Sequence, residues 1–196
     1  MNIMILSDQE SKLLYEYYDP ERIKDIDLLI SCGDLPPEYL TFFASVCHAP
    51  LVYVRGNHDN KYAYKPPEGC ICIEDKIYTY KGLRIMGLGG SIRYKKGINQ
   101  YTQRQMQHRV SRMWLQLKCK KGFDILLTHS PAAGINDGFD SVHQGFTVFN
   151  ELLDTYHPAY FIHGHIHKNY QANFVREQQY NETTIINGYE RYIIDV

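Results

Sequence analysis

Pro50-Leu51-Val52-Tyr53-Val54-Arg55-Gly56-Asn57-His58-Asp59 runs from five apolar residues into a turn that carries an amide, an imidazole and a carboxylate. A short unbroken apolar run of this kind predicts a buried strand. The turn after it offers two groups of metal-ligand type, Asn57 and His58. The same arrangement recurs along the chain. Asp8 follows Ile3-Met4-Ile5-Leu6, Asp34 follows residues 28–33, His129 follows Ile125-Leu126-Leu127-Thr128, and Gly164-His165-Ile166-His167 follows Ala159-Tyr160-Phe161-Ile162. In open α/β sheets functional groups gather beyond the carboxyl ends of the strands. Five segments are therefore expected to bring Asp8, Asp34, Asn57 with His58, His129, and His165 with His167 to one edge of one sheet.

Between these strands the pattern predicts helices. One spans residues 11–18, stopped by Asp19-Pro20 because proline disfavours helical geometry in the residue before it. A second opens at Pro36-Pro37 with the stripe Leu40, Phe43, Ala44 and Cys47. A third opens with the capping-box spacing of Thr102-Gln103-Arg104-Gln105, and its stripe Met106, Val110, Met113, Trp114 and Leu117 is expected in the core. A fourth carries Phe146, Phe149, Leu152, Leu153 and Tyr156. Residues 77–80 and 83–86 flank Lys81-Gly82 as a hairpin. Residues 60–69 read as a loop. Gly87-Leu88-Gly89-Gly90-Ser91 permits either amides that approach a ligand or a tight bend beneath the site. Residues 170–175, 183–187 and 192–195 read as antiparallel closing strands. Alternating strands and helices followed by strands predict an α/β fold of two mixed sheets packed together with helices outside. Without a repeat or a linker, residues 1–196 are expected to form one domain.

At 196 residues, with 44% hydrophobic and 22% charged residues, the composition is that of an ordinary globular chain. A net charge of −1 argues against a general attraction to nucleic acid or membrane. No stretch approaches the roughly 20 apolar residues of a membrane span, and no signal-peptide pattern follows Met1-Asn2. Five cysteines without a framework spacing predict free thiols in a reducing compartment, so a cytoplasmic location is expected.

The Asp, Asn and His set is rich in oxygen and imidazole and empty of thiolate, which suits manganese, iron or zinc better than calcium. A carboxylate such as Asp34 has two oxygens and can bridge two ions. Two ions roughly 3.5–4 Å apart can hold a hydroxide, lower its pKa and clamp a phosphoryl group for in-line attack.

In order and spacing, Asp8-Gln9-Glu10, Gly33-Asp34, Gly56-Asn57-His58-Asp59, His129 and Gly164-His165-Ile166-His167 resemble the signature blocks of the calcineurin-like metallophosphoesterases. The resemblance covers nearly the whole chain and implies a four-layer αββα sandwich. It further implies that Asp8, Asp34 and His167 bind a first ion, while Asp34, Asn57, His129 and His165 bind a second. By the same resemblance His58 stabilises or protonates the leaving oxygen, with Asp59 orienting it.

One position departs from that pattern: Glu10 stands where the family has histidine. Ligation by Glu10, directly or through water, makes the first site harder and shifts its preference toward manganese or magnesium. It also removes a positive charge from the centre.

His143, Asn136 and Arg93 are candidate substrate-binding residues at the pocket rim, Arg93 with Lys95, Lys96, Lys61 and Lys65. Tyr62, Tyr64 and Tyr94 stand where a substrate could pass. The expected function is a two-metal phosphoester hydrolase, a phosphodiesterase for small nucleotide-like or organic diesters. A nuclease and a catalytically weak binding module of the same fold are the alternatives.

Overall fold

A computed structural model describes residues 1–138, 140–168 and 174–196. In chain order the elements are β1 (Asn2–Ser7), α1 (Lys12–Tyr15), β2 (Leu28–Ser31), α2 (Pro37–Val46), β3 (Leu51–Tyr53) and β4 (Ile71–Cys72). The hairpin β5 (Lys76–Tyr80) and β6 (Leu83–Leu88) follows, then β7 (Ser91–Ile92), β8 (Gln100–Tyr101), α3 (Gln103–Arg112), α4 (Trp114–Lys120) and β9 (Ile125–Thr128). The chain continues through α5 (Thr147–Tyr156), β10 (Tyr160–His163), β11 (Glu177–Tyr180), β12 (Thr183–Asn187) and β13 (Glu190–Asp195).

Two mixed sheets result, ordered β13-β1-β2-β3-β4 and β11-β12-β10-β9-β6-β5. Alternation along each strand shows why the runs are apolar without a break. Ile3 and Ile5 of β1, Leu28 and Ile30 of β2, and Val52 of β3 meet Ile85, Ile125, Leu127, Ile162 and Ile186 of the other sheet. The residues between them, such as Met4, Leu29 and Leu51, face outward onto α2 residues Tyr39, Leu40 and Phe43. On the second sheet Met86, Leu126, Phe161 and Ile185 face Met106, Val110, Leu117, Phe149 and Leu152. Successive strand side chains point to opposite faces, so a strand covered on both must be apolar throughout. The layers are thus helix, sheet, sheet, helix.

Several expectations are corrected. The ligand-bearing strands do not share one sheet: β1, β2 and β3 lie in one and β9 and β10 in the other. The first α-helix ends at Tyr15, and Ser11 does not cap its start: it donates its N–H to the Tyr39 hydroxyl and its own hydroxyl to Glu190. Residues 60–69 contain most of a short 3-10 helix, Asp59–Ala63, and Tyr62 is buried there with its hydroxyl on the Leu35 carbonyl at 2.6 Å. The third helix has its capping box but breaks at Met113 into α3 and α4. The break lets Gln116 accept from Ile77 N–H and donate to Asp75 O along the edge strand β5. It also turns Trp114 outward, leaving it 61% exposed instead of in the core. Residues 170–173 lie outside the described residues. Of the closing strands, β12 runs parallel to β10, while β11 pairs antiparallel with β12 and β13 with β1. No helix among the described residues is long and apolar enough to cross a membrane.

Candidate metal centre

The carboxyl ends of the two sheets meet at one point and are stitched together there. Asp8 N–H donates to Gly33 O at 3.1 Å and Gly164 N–H to His129 O at 2.9 Å, within each sheet's own loops. Across the sheets, His129 Nδ1 donates to Cys32 O at 2.8 Å, and His165 N–H donates to the Asp8 carboxylate at 2.9 Å. Three of these positions, Asp8, Asp34 and His165, have left-handed backbones with φ of 64°, 56° and 66°. Such residues cost roughly 1–3 kcal/mol each and persist where surroundings over-determine them. Here the Asp8 carboxylate takes His165 N–H, and Asp34 Oδ1 takes His58 N–H at 2.7 Å. Gly56 is required for this closeness: a Cβ there would stand 2.1 Å from Asp34 Oδ1.

Ligand atoms of Asp34, His129 and His165 lie within 4.8 Å of one another. His129 is fully buried, and its Nε2 faces Asn57 Oδ1 at 2.9 Å and Asp34 Oδ2 at 3.4 Å. Because Nδ1 already donates to a carbonyl, both ring nitrogens point at acceptors. A neutral ring would set a lone pair against two oxygens, so a proton or a metal cation must sit between them. Without metal that demand falls on the proton: burial disfavours the charge, but Asp34, then Asp8 and Asp59, push His129 up to about 9. Burial likewise opposes ionisation of Asp34, yet His129 outweighs it and holds the carboxyl at about 2. His165 is driven the other way, to about 4, by burial and then by the His129 charge. With Nε2 donating to Val142 O at 3.0 Å, His165 is a neutral imidazole with one lone pair left, as a ligand must be. The donor set therefore fits a divalent cation.

On the other side of the centre, His167 Nε2 lies 3.2 Å from Asp8 Oδ1, and the Asp8 side chain is fully buried. Its carboxyl is lowered because the His167 and Ser7 hydrogen bonds and the His129 charge together outweigh burial. Glu10 is half-buried and makes no hydrogen bond or ion pair among the described residues.

His58 is exposed at the mouth of a cleft of about 250 Å³ that Asp34, Leu35, Lys61 and Tyr62 also line. Asp59 makes no hydrogen bond to the His58 ring. Its Oδ2 accepts the Gly56 and Asp34 N–H groups at 2.7 and 2.8 Å, clamping two ligand loops together, because it is buried beneath the turn while His58 points out of it. Burial and the neighbouring Asp34 push its carboxyl up to about 7.

Of the rim candidates, the structure brings His143 to the centre: its ring lies 5.2 Å from the His165 ring, and its Nδ1 is bonded to Asp140 at 2.7 Å. Asp140 was missed in the sequence, although a carboxylate three residues before a histidine was the available signal. Asn136 and Arg93 are otherwise engaged, Asn136 on Val175 O at 3.0 Å and Arg93 on Gln100 O at 3.3 Å. Neither bonds to the cluster. Lys65 pairs with Glu38. Gly90, with φ 89°, donates to Arg55 O at 2.7 Å, so the glycine run is the bend beneath the site.

A four-layer αββα sandwich with oxygen and imidazole donors at the meeting sheet ends defines a metal-dependent phosphoesterase scaffold. A model of the calcineurin-like phosphoesterase family matches residues 7–169, and the chain belongs to that family. No curated protein sequence matches it. Among the solved structures that are similar, two share 15% identity with this chain. One aligns with a TM-score of 0.71 over 99% of this chain and 94% of its own. The other, TT1561 of Thermus thermophilus, aligns with a TM-score of 0.66 over 96% and 89%. An archaeal phosphodiesterase aligns at a TM-score of 0.45 and 14% identity over 97% of this chain and 84% of its own. The first two likenesses speak to the fold alone.

Proposed function

We propose that the chain is a two-ion phosphodiesterase acting on small organic diesters, nucleotide-like ones among them. The observation that carries this reading is the buried convergence of Asp34, Asn57, His129 and His165 on a point where the facing lone pairs call for a metal cation or the proton it would displace. These four would hold one ion. Asp8, Asp34 and His167 would hold the other, with Glu10 ligating it directly or through water. When bound, such ions polarise phosphoryl oxygens and acidify water. Manganese is the favoured metal because Glu10 adds a hard oxygen to the outer side; magnesium, iron and zinc are the competitors.

The chain's own residues supply the rest. His58 rides on a turn fixed to Asp34 Oδ1 and hands a proton from its imidazole to the leaving oxygen. His143, held by Asp140, borders the entering phosphate. An anionic Glu10 in place of a neutral histidine makes the centre less positive, which penalises a doubly charged monoester more than a singly charged diester. The cysteines are unpaired among the described residues, as suits the cytoplasm.

The test is hydrolysis of a chromogenic phosphodiester, a phosphomonoester and single-stranded DNA with manganese, zinc or magnesium, beside His58→Ala. Diester turnover that the variant loses supports the proposal. DNA cleavage would move it to the nucleases, and no turnover with any metal would leave a binding module.

A further inference from the structure

Asn57 can serve a cation with one end only. Its carbonyl oxygen has lone pairs to offer, whereas its amide nitrogen has none, and the two ends are nearly equal in size. Shape therefore does not decide which end faces the cluster; hydrogen-bond partners do. Asn57 Oδ1 stands 2.9 Å from His129 Nε2, and Asn57 Nδ2 donates to the Tyr94 hydroxyl at 3.3 Å. Among the described residues that phenol is the hydrogen-bond partner of the amide nitrogen.

Tyr94 belongs to none of the apolar clusters, so core packing does not explain its placement. Its loop is tied down on both sides. At its start Gly90 N–H holds Arg55 O, two residues before Asn57, and Ser91 N–H holds Asn99 O at 3.1 Å. Further on, Arg93 N–H holds Tyr101 O at 2.9 Å and Lys95 N–H holds Gln100 Oε1 at 3.1 Å. The Lys95 ammonium stands 5.3 Å from the centre of the Tyr94 ring. A phenol carried by so constrained a loop is a fixed acceptor.

We propose that Tyr94 is a positioning residue of the metal centre: it holds the Asn57 amide nitrogen and thereby keeps the carbonyl oxygen turned toward Asp34, His129 and His165. This rests on the reading of Asn57 as a ligand. Partners one step behind a ligand typically change metal affinity 10- to 100-fold when removed.

The test is calorimetric titration with Mn²⁺ alone on the parent, Tyr94→Phe, Asn57→Asp and the double variant, with melting of each metal-free protein. Tyr94→Phe is expected to lower Mn²⁺ affinity by about tenfold or more at an unchanged melting temperature. At saturating Mn²⁺ its kcat and KM for a chromogenic diester should return to parental values. In the Asn57→Asp background, where both ends of the side chain are oxygens, Tyr94→Phe should cost far less. A parent that binds no Mn²⁺ overturns the ligand reading and this proposal together. A parent that binds while Tyr94→Phe binds equally well overturns this proposal alone. So does a raised KM at saturating Mn²⁺, or an affinity loss that persists undiminished in the Asn57→Asp background and travels with a lower melting temperature.

Discussion

The half of the centre made by Asn57, His129 and His165 is sealed, each residue 5% exposed or less, whereas the half made by Asp8, Glu10 and His167 opens to solvent, with the His167 side chain 27% exposed. In the sealed half one polar atom of each side chain is fixed from outside the cluster: His129 Nδ1 by Cys32 O, His165 Nε2 by Val142 O and Asn57 Nδ2 by the Tyr94 hydroxyl. In the open half Glu10 has no such partner among the described residues, and His167 is held by the Asp8 carboxylate and against the Tyr189 ring. Preorganisation lowers the cost of ordering ligands around an ion. The sealed half is therefore expected to bind first and more tightly, and the open half to exchange its ion.

The largest effect should come from the residue the halves share. Asp34→Ala is expected to abolish binding in both and to lower diester turnover by at least about 10³-fold, the upper scale of losing one electrostatic anchor. Elemental analysis showing one ion still bound would mean the halves are independent. His58→Ala, outside both, should cost about 10²–10⁴-fold in turnover with metal content unchanged. A loss of metal would instead make His58 a ligand.

The third expectation separates the halves by pH. In the metal-free protein His129 stays protonated until about pH 9, so an ion entering the sealed half must displace that proton. Affinity there should rise by up to about tenfold per pH unit and level off above pH 9. Asp8, held below the ordinary carboxylate value, is already ionised across that range and adds no slope of its own to the open half. Titration calorimetry at several pH values would show the steeper slope near pH 9 in one of two binding events; equal slopes there would erase the distinction. The smallest effect belongs to Glu10→His, expected to shift the open half several-fold from manganese toward zinc and to narrow the preference for diesters over monoesters. Unchanged metal preference would remove Glu10 from the centre.

Much of this was legible in the chain because the candidate ligand residues sit immediately after apolar runs, and a strand delivers whatever follows its carboxyl end. Asp34, Asn57, His129 and His165 could be found that way. The role of Asp59 could not, since nothing local distinguishes a carboxylate that orients the ring beside it from one that turns under to clamp two backbones. Trp114 misled for a related reason. Its spacing continues the stripe of α3, but the helix breaks at Met113, with Gln116 bonded to the edge of β5, and Trp114 is left facing outward.

The amino-acid order alone determined the layered α/β architecture, because strands covered on both faces must be apolar throughout, and it singled out the candidate donors, because donor chemistry is a property of side chains. The tertiary structure decided that the candidate ligands come from two sheets rather than one, and that Tyr94 stands behind Asn57. Strand partnership and amide orientation both depend on atoms far away in the chain, and their energies exist only once those atoms have met.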